Sequence, residues 1–445
     1  MNRKPPSAPP ESDPMAAFYE GLEDLAIQQA RRLINLSIYS KALLSMLPVA
    51  LIATDRDGLV RMSNKAAQDI LGFQEEELTG KPAAEIFGPE SEVGRRLLRA
   101  LEDAEPAHLA SRSLKLPSGK TLVGNLYLQP FRDEENALRG LLVTVEDLSY
   151  VHFLHDAFKR YVPPSVSEMI ARNPQELRLG GEEKNLSVLF ADIEDFTRYS
   201  ESHTPNEMVT LLSEYFTVMT DEVFAFEGTL KEYVGDELMA IFGAPVEQSD
   251  HPSRACRAAL AMQAALGDLR RRWRAAGRPA IRARIGVNTG PMLVGNLGSP
   301  YRFSYGVLGD QVNLASRLEG LCAVYGTPIL IGERTAQAAG AAFRLREIDW
   351  VRVKGRVQSV RIYELLGEAD GPRPAPAREA ALAFYAEALE AYRKRSWVRA
   401  LHGFEQAAAA DPKDGPSRVM AGRCKHFLDA PPPEDWEGVF EHTRK

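Results

Sequence analysis

Two aspartates in this chain each end or interrupt a strand-like apolar run. Asp192 closes the run Leu186 to Ala191 in VLFADIEDFT, just before a helix expected near Thr197. Asp236 follows Gly235 between two short strand candidates, residues 229–234 and 237–242, in TLKEYVGDELMAIF. Two strands joined by two turn residues are a hairpin signal. If that hairpin neighbours the first strand in a sheet, the two carboxylates meet. Such a pair, one member beside a helix N-terminus, suits cations whose other ligands are phosphate oxygens. The plainer alternative is that Asp192 caps its helix and Asp236 serves its turn.

A second group lies in GVLGDQVNLASRLEG, residues 306–320. Asn313 and Arg317 are four residues apart, so on a helix begun after Gly309 and Asp310 they share one face. There an amide can hold a ribose oxygen and a guanidinium can neutralise charge growing on a phosphate. An Asn and an Arg on a helix also describe an ordinary solvated face. Lys354, in RVKGRVQSVRIYEL, either reaches a terminal phosphate or guards an edge strand.

Taken in order, FADIEDFT, YVGDELMAIFG, ARIGVNTGPMLVGNLGS, VLGDQVNLASRLE and VKG resemble the catalytic domain of class III nucleotidyl cyclases over residues 186–366. The resemblance implies a ferredoxin-like α+β domain that works as a homodimer, with two magnesium or manganese ions at an interfacial site. It also implies cyclisation of a nucleoside triphosphate to its 3′,5′-monophosphate with release of pyrophosphate. Carried over by motif position, Asp192 and Asp236 would hold metal, helped by the carbonyl of Ile193. Asn313 would orient the ribose and Arg317 would stabilise the transition state, both from the partner chain. Thr197 and Lys354 would meet phosphate. The residue types agree with that chemistry, because phosphoryl transfer asks for alignment and charge compensation rather than for a nucleophilic side chain.

The family reads the purine with a residue three before the hairpin glycine, commonly Lys for adenine and Glu for guanine. Here it is Glu232, with Lys231 one step away. Strand neighbours point to opposite faces, so Lys231 is expected to be unable to substitute without a register slip. One carboxylate can accept from both guanine N1–H and the N2 amine, whereas adenine N1 would meet it acceptor to acceptor. A buried mismatch of that kind costs about 1–3 kcal/mol. The second base position, three before the glycine of LGD, is Gly306, which departs from the Asp or Thr of adenine-specific members and from the Cys common in guanine-specific ones. It is expected to leave room for water. The sequence leans to GTP, with ATP as the alternative, and the plain reading of Glu232 is a surface strand residue.

The elements that must position these groups occupy the middle of a 445-residue chain, a length that fits three domains. Residues 1–14 are polar, carry five prolines and are expected to be disordered, and a helix follows over 15–40. Residues 41–148 resemble a PAS sensor domain, through the DRDG turn at Asp57-Gly58, the NKAA helix start at Asn64, LGF and ELTGK. Strands are expected over 111–116, 121–130 and 138–146, with a turn at Ser118-Gly119. His108 is placed in a polar loop, and no sensor ligand is assigned. Leu148, Val151, His155, Phe158 and Val162 form a short heptad seam stopped by Pro163-Pro164. Residues 149–180 thus read as a linker helix and a cyclase transducer element, or as a plain linker, before the catalytic domain at 181–367.

After a Pro/Ala linker at 368–377, residues 378–429 resemble a tetratricopeptide (TPR) unit, with Tyr392, Trp397, Ala400, Leu401, Phe404, Ala408 and Pro412 at helical-hairpin spacing. That is fewer than the roughly three repeats needed to stand alone, so the helices are expected to pack on the cyclase or on a protein partner. The tail at 430–445 carries aromatics that can dock back. A net charge of −7 without a basic stripe argues against nucleic acid. No apolar run reaches the ~18 residues of a membrane span and no signal peptide is visible, so the protein is expected in the cytoplasm. Cys256, Cys322 and Cys424 are far apart in helical stretches and are expected to be reduced.

Overall fold

The computed structural model describes residues 14–116, 119–173, 175, 177–353 and 358–442. The expectations for residues 1–13, for Ser118 and for Lys354 lie outside them. The chain divides into two units, Met1–Phe158 and Lys159–Lys445.

The first unit begins with a long helix, α1 (Pro14–Met46), followed by β1 (Ala50–Thr54), β2 (Val60–Ser63), α2 (Lys65–Leu71), α3 (Glu75–Leu78), α4 (Ala83–Ile86) and α5 (Glu92–Glu102). Strands β3 (Ala107–Lys115), β4 (Thr121–Arg132) and β5 (Leu138–Asp147) complete an antiparallel sheet in the order β2-β1-β5-β4-β3. Asn64 caps α2 by accepting from Ala67 N–H, as its place before an apolar helix suggests. The core is a cluster including Ile52, Leu71, Leu97, Leu126, Val143 and Val145, all fully buried. His108 is not in a loop: it lies in β3 and stacks on Tyr127 across the strand pair, ring centroids 4.4 Å apart. The alternation of β3 was obscured there by small and polar residues.

Helix α6 (Ser149–Tyr161) leads to the second unit, which opens with α7 (Pro164–Arg172), β6 (Gly180–Ile193), α8 (Phe196–Glu201), α9 (Pro205–Ala225), β7 (Thr229–Val234), β8 (Glu237–Phe242) and α10 (His251–Ala275). There follow β9 (Ala283–Ser299), β10 (Arg302–Leu308), α11 (Asp310–Tyr325), β11 (Ile329–Gly332), α12 (Glu333–Ala339), β12 (Phe343–Val353) and β13 (Val360–Glu368). Helices α13 (Pro376–Arg393), α14 (Trp397–Ala410) and α15 (Gly415–Asp429) and the short β14 (Phe440–His442) end it. The sheet runs β14-β12-β13-β11-β9-β6-β8-β7, with β10 paired to β9.

Strand β6 is apolar on both sides because both of its faces are covered. Leu189, Ala191 and Ile193 face a core built on α9 and α10, while Leu186, Val188 and Phe190 face one containing Val294, Val307, Val312 and Ala315. Asp192 falls in the second set by the two-residue period of a strand, at the point where that face runs out.

The C-terminal helices form no independent unit. They share one core with α11 and β11 to β13, in which Leu318, Leu330, Ile348 and Ile362 pack with Tyr385, Tyr392 and Phe404. Buried charges tie them down: Arg346 bridges Glu364 at 2.5 Å and Asp414 at 2.8 Å, and Arg423 pairs with Asp349. Tyr325, the last residue of α11, donates to the same Asp349 at 2.6 Å. Segment 369–372, read as linker, is pinned by Arg344 donating to the carbonyls of Ala369, Gly371 and Pro372. Trp436 packs against Tyr392, Trp397 and Phe427, and β14 adds a parallel strand beside β12. Among the described residues no helix is long and apolar enough to cross a membrane.

Candidate active site

Asp192 reaches its place through register. It stands opposite Arg284 in the β6–β9 ladder, as Ala191 stands opposite Leu238 in the β6–β8 ladder. Val234 and Glu237 pair across the β7–β8 hairpin, with Gly235 at φ +67°, a conformation that glycine adopts without steric cost. The hairpin tip therefore projects beside the end of β6, where Asp236 and Asp192 line one opening and the charge of Asp192 acts on the Asp236 carboxyl.

Burial and the neighbouring Asp192 carboxylate push the Asp236 carboxyl up to about 7. Two carboxylates forced together where water is partly excluded cannot both ionise cheaply. Both border a cavity of about 520 Å³ whose rim includes Asp195, Thr197 and Arg198 of the α8 turn. Asp195 enters that turn at φ +58°, so the chain reverses sharply after β6 and brings Thr197 to the same opening.

Two residues that sequence reasoning passed over complete the charged floor. Arg284 Nη2 lies 3.0 Å from Asp192 Oδ2 and its Nε lies 3.0 Å from Glu319 Oε1, with Arg284 and Glu319 side chains only 19% and 9% exposed. Burial raises the Glu319 carboxyl to about 7 even though Arg284 opposes it. The available signals were a charge inside the apolar strand ARIGV and a Glu next to Leu318 on the buried side of a helix.

Asn313 and Arg317 lie on α11, as expected. Asn313 is exposed and turned away from the core that takes Val312, Leu314 and Ala315. Arg317 is half-buried, and its Nη1 has no hydrogen-bond partner among the described residues. Neither side chain bonds to Asp192 or Asp236 within the chain, among the described residues. The structure thus brings the two carboxylates to one cavity whose described lining includes neither the amide nor the guanidinium.

At the base-reading positions the structure corrects two expectations. Strand β7 slips register between Leu230, opposite Ala240, and Glu232, opposite Met239, which leaves Lys231 as an extra residue. Such a bulge breaks the alternation that would have parted Lys231 from Glu232, and Lys231 Nζ lies 3.5 Å from Glu232 Oε2. Nor does Gly306 leave space for water, because Lys231 Cε occupies it, 2.6 Å from where a Cβ would stand.

Among the described residues no group of three or more His, Cys, Asp or Glu side chains forms a metal cluster. Two neighbouring carboxyls at one opening are nevertheless a donor set that a divalent cation fits, since the cation removes their repulsion. Its remaining ligands would be backbone carbonyls, water and substrate oxygens.

The family model of the adenylate and guanylate cyclase catalytic domain matches residues 181–367, and that of the PAS fold matches residues 39–148. Adenylate cyclase 1 of Rhizobium meliloti is 36% identical over 213 residues, 47% of this chain and 32% of its own length. The crystal structure of the guanylyl cyclase Cya2 is 35% identical, covering 44% of this chain and 99% of that one, with a TM-score of 0.41. That of the adenylyl cyclase CyaB from P. aeruginosa is 33% identical, covering 44% of this chain and 100% of that one, with a TM-score of 0.40. The chain spans less than half the length of the curated relatives it matches.

Proposed function

We propose, for a chain that joins a PAS domain to a catalytic domain of the class III adenylate and guanylate cyclase family, that it converts GTP to 3′,5′-cyclic GMP and pyrophosphate. The site is completed by a second copy of the chain. The observation that carries the reading is the pair of carboxylates Asp192 and Asp236 lining one cavity together with Thr197.

Asp192 and Asp236, with the carbonyl of Ile193, would hold magnesium or manganese. Divalent cations bound there supply acidification of the ribose 3′-hydroxyl and neutralisation of the triphosphate. The chain's own residues do the positioning. Arg284 holds Asp192 from below by an ion pair, fixing the carboxylate's direction. Thr197, at the start of α8, presents its hydroxyl where phosphate oxygens would lie, and Lys354 would meet the terminal phosphates. Asn313 and Arg317 make no bond to their own chain's carboxylates among the described residues, so in a twofold dimer they serve the partner's site. There Asn313 orients the ribose, and Arg317 compensates the charge that develops on the α-phosphate as pyrophosphate leaves.

The preference for GTP rests on Glu232, whose half-exposed carboxylate, ion-paired with Lys231 through Oε2, can accept from guanine N1–H and N2. ATP is the second reading, favoured by the ammonium of Lys231 beside it, which can donate to adenine N1. Residues 41–148 are read as the sensor, 149–180 as the element that passes its state to the dimer interface, and residues 378–429 as a brace on the catalytic domain rather than a free partner-binding repeat. Cyclic GMP and cyclic AMP are to be measured from purified protein given GTP and ATP at equal concentration with magnesium or manganese. Faster cyclic GMP supports the reading, faster cyclic AMP replaces it with the second, and no product under either metal makes the domain a silent nucleotide-binding regulator.

A further inference from the structure

Lys231 is covered to an extent unusual for a lysine on an edge strand, with 13% of its side chain exposed against 48% for Glu232. Its methylene stem lies across Gly306, and its Nζ sits 3.4 Å from Ser304 Oγ and 3.5 Å from Glu232 Oε2. Three independent features produce this placement. The bulge in β7 turns Lys231 toward Glu232, the pairing of β10 with β9 presents Ser304 and Gly306 on alternate positions of one strand face, and the missing side chain at residue 306 admits the stem.

We propose that Lys231 is a second specificity-determining residue of this site, donating from Nζ to the O6 carbonyl of guanine while Glu232 accepts from N1–H and the N2 amine. The inference rests on the GTP reading above and adds a residue to it. Guanine presents acceptor, donor and donor along one edge, and an ammonium held beside a carboxylate presents the matching donor and acceptors. In the same pose adenine meets this pair donor to donor at its N6 amine and acceptor to acceptor at N1, and gains no hydrogen bond from Lys231. Gly306 is then not a gap but the clearance that seats Lys231, and a side chain there would displace the ammonium from the base.

The test compares kcat/KM for GTP, ITP and ATP in the full chain and in Lys231→Met, Gly306→Ala and Glu232→Gln. ITP keeps O6 and N1–H but lacks the N2 amine. A hydrogen bond to a charged donor predicts that Lys231→Met lowers kcat/KM for GTP and ITP by the same factor, about tenfold or more. Its ITP-to-GTP ratio stays at the wild-type value, and its use of ATP changes less than threefold. Glu232→Gln shifts the ITP-to-GTP ratio itself. Gly306→Ala reproduces the direction of Lys231→Met without removing the lysine, and decides the matter should Lys231→Met fail to fold. A GTP value within twofold of wild type overturns the assignment, as does an equal loss on all three nucleotides, which marks a purely structural lysine. A wild type that prefers ATP sinks the GTP reading itself, a result separable from the behaviour of the variants.

Discussion

Asp192 and Asp236 come to one opening, close enough for the charge of Asp192 to act on Asp236, although they belong to different sequence motifs, and the register of β6, β7 and β8 is what brings them together. The contact stores an electrostatic conflict that only a proton or a cation relieves.

The first consequence concerns pH. Asp236 has its carboxyl raised in the folded chain to about 7 from an ordinary value of 3.8, so between those values the folded state holds a proton that the unfolded state has lost. Stability of the metal-free protein therefore falls as pH rises through that window, and the loss is complete above about 7. Thermal melts from pH 5 to 8 in chelator should show Asp236→Asn gaining on the wild type as pH rises. Magnesium should narrow the gap at pH 8 by stabilising the wild type alone.

Removing either carboxylate should leave the fold and end the chemistry. Asp236 sits on a turn and Asp192 at a strand end, so Asp192→Ala and Asp236→Ala are expected to melt within a few degrees of the wild type. Cyclic nucleotide output should drop about a hundredfold or more, the scale on which a lost electrostatic contact in a reacting centre is felt. Circular dichroism and product assay on the same preparations check both halves.

The C-terminal helices should prove part of the catalytic unit. Arg423 and Asp349 are 6% and 0% exposed, so Arg423→Ala strands a buried carboxylate and should cost about 3–5 kcal/mol in denaturant unfolding of that unit. Replacing both, as Arg423→Met with Asp349→Leu, should recover much of it. Because Tyr325 of α11 donates to Asp349, the single variant should also impair turnover through the helix that carries Asn313 and Arg317.

Much of this was legible in the amino-acid order, and the rest was not for definable reasons. The run ending at Asp192 and the turn at Gly235-Asp236 are local signals, and the structure returns β6, β7 and β8 where periodicity and turn chemistry place them. Asn313 and Arg317 share a helix because a four-residue spacing on a strong helix former leaves no other option. The bulge at Lys231 is different: it depends on how β7 meets β8, a non-local pairing that alternation along one strand does not reveal. Arg284 and Glu319 escaped because a charge in an apolar run reads as an exception until its partner is seen across the sheet. The helical tail showed its apolar face but not what that face covers, since helical periodicity says nothing about the surface on the other side.

The composite nature of the site is the central claim, and mixing two disabled chains tests it most directly. Asp236→Ala and Arg317→Ala should each be inactive alone. Refolded or co-expressed together at equal amounts, they form heterodimers in which one site has lost both contributions and the other keeps both. Recovery to about a quarter of wild-type cyclic nucleotide output is predicted, from half the dimers being mixed and half their sites intact. Heterodimers isolated by orthogonal tags that remain as inactive as either parent would contradict the account.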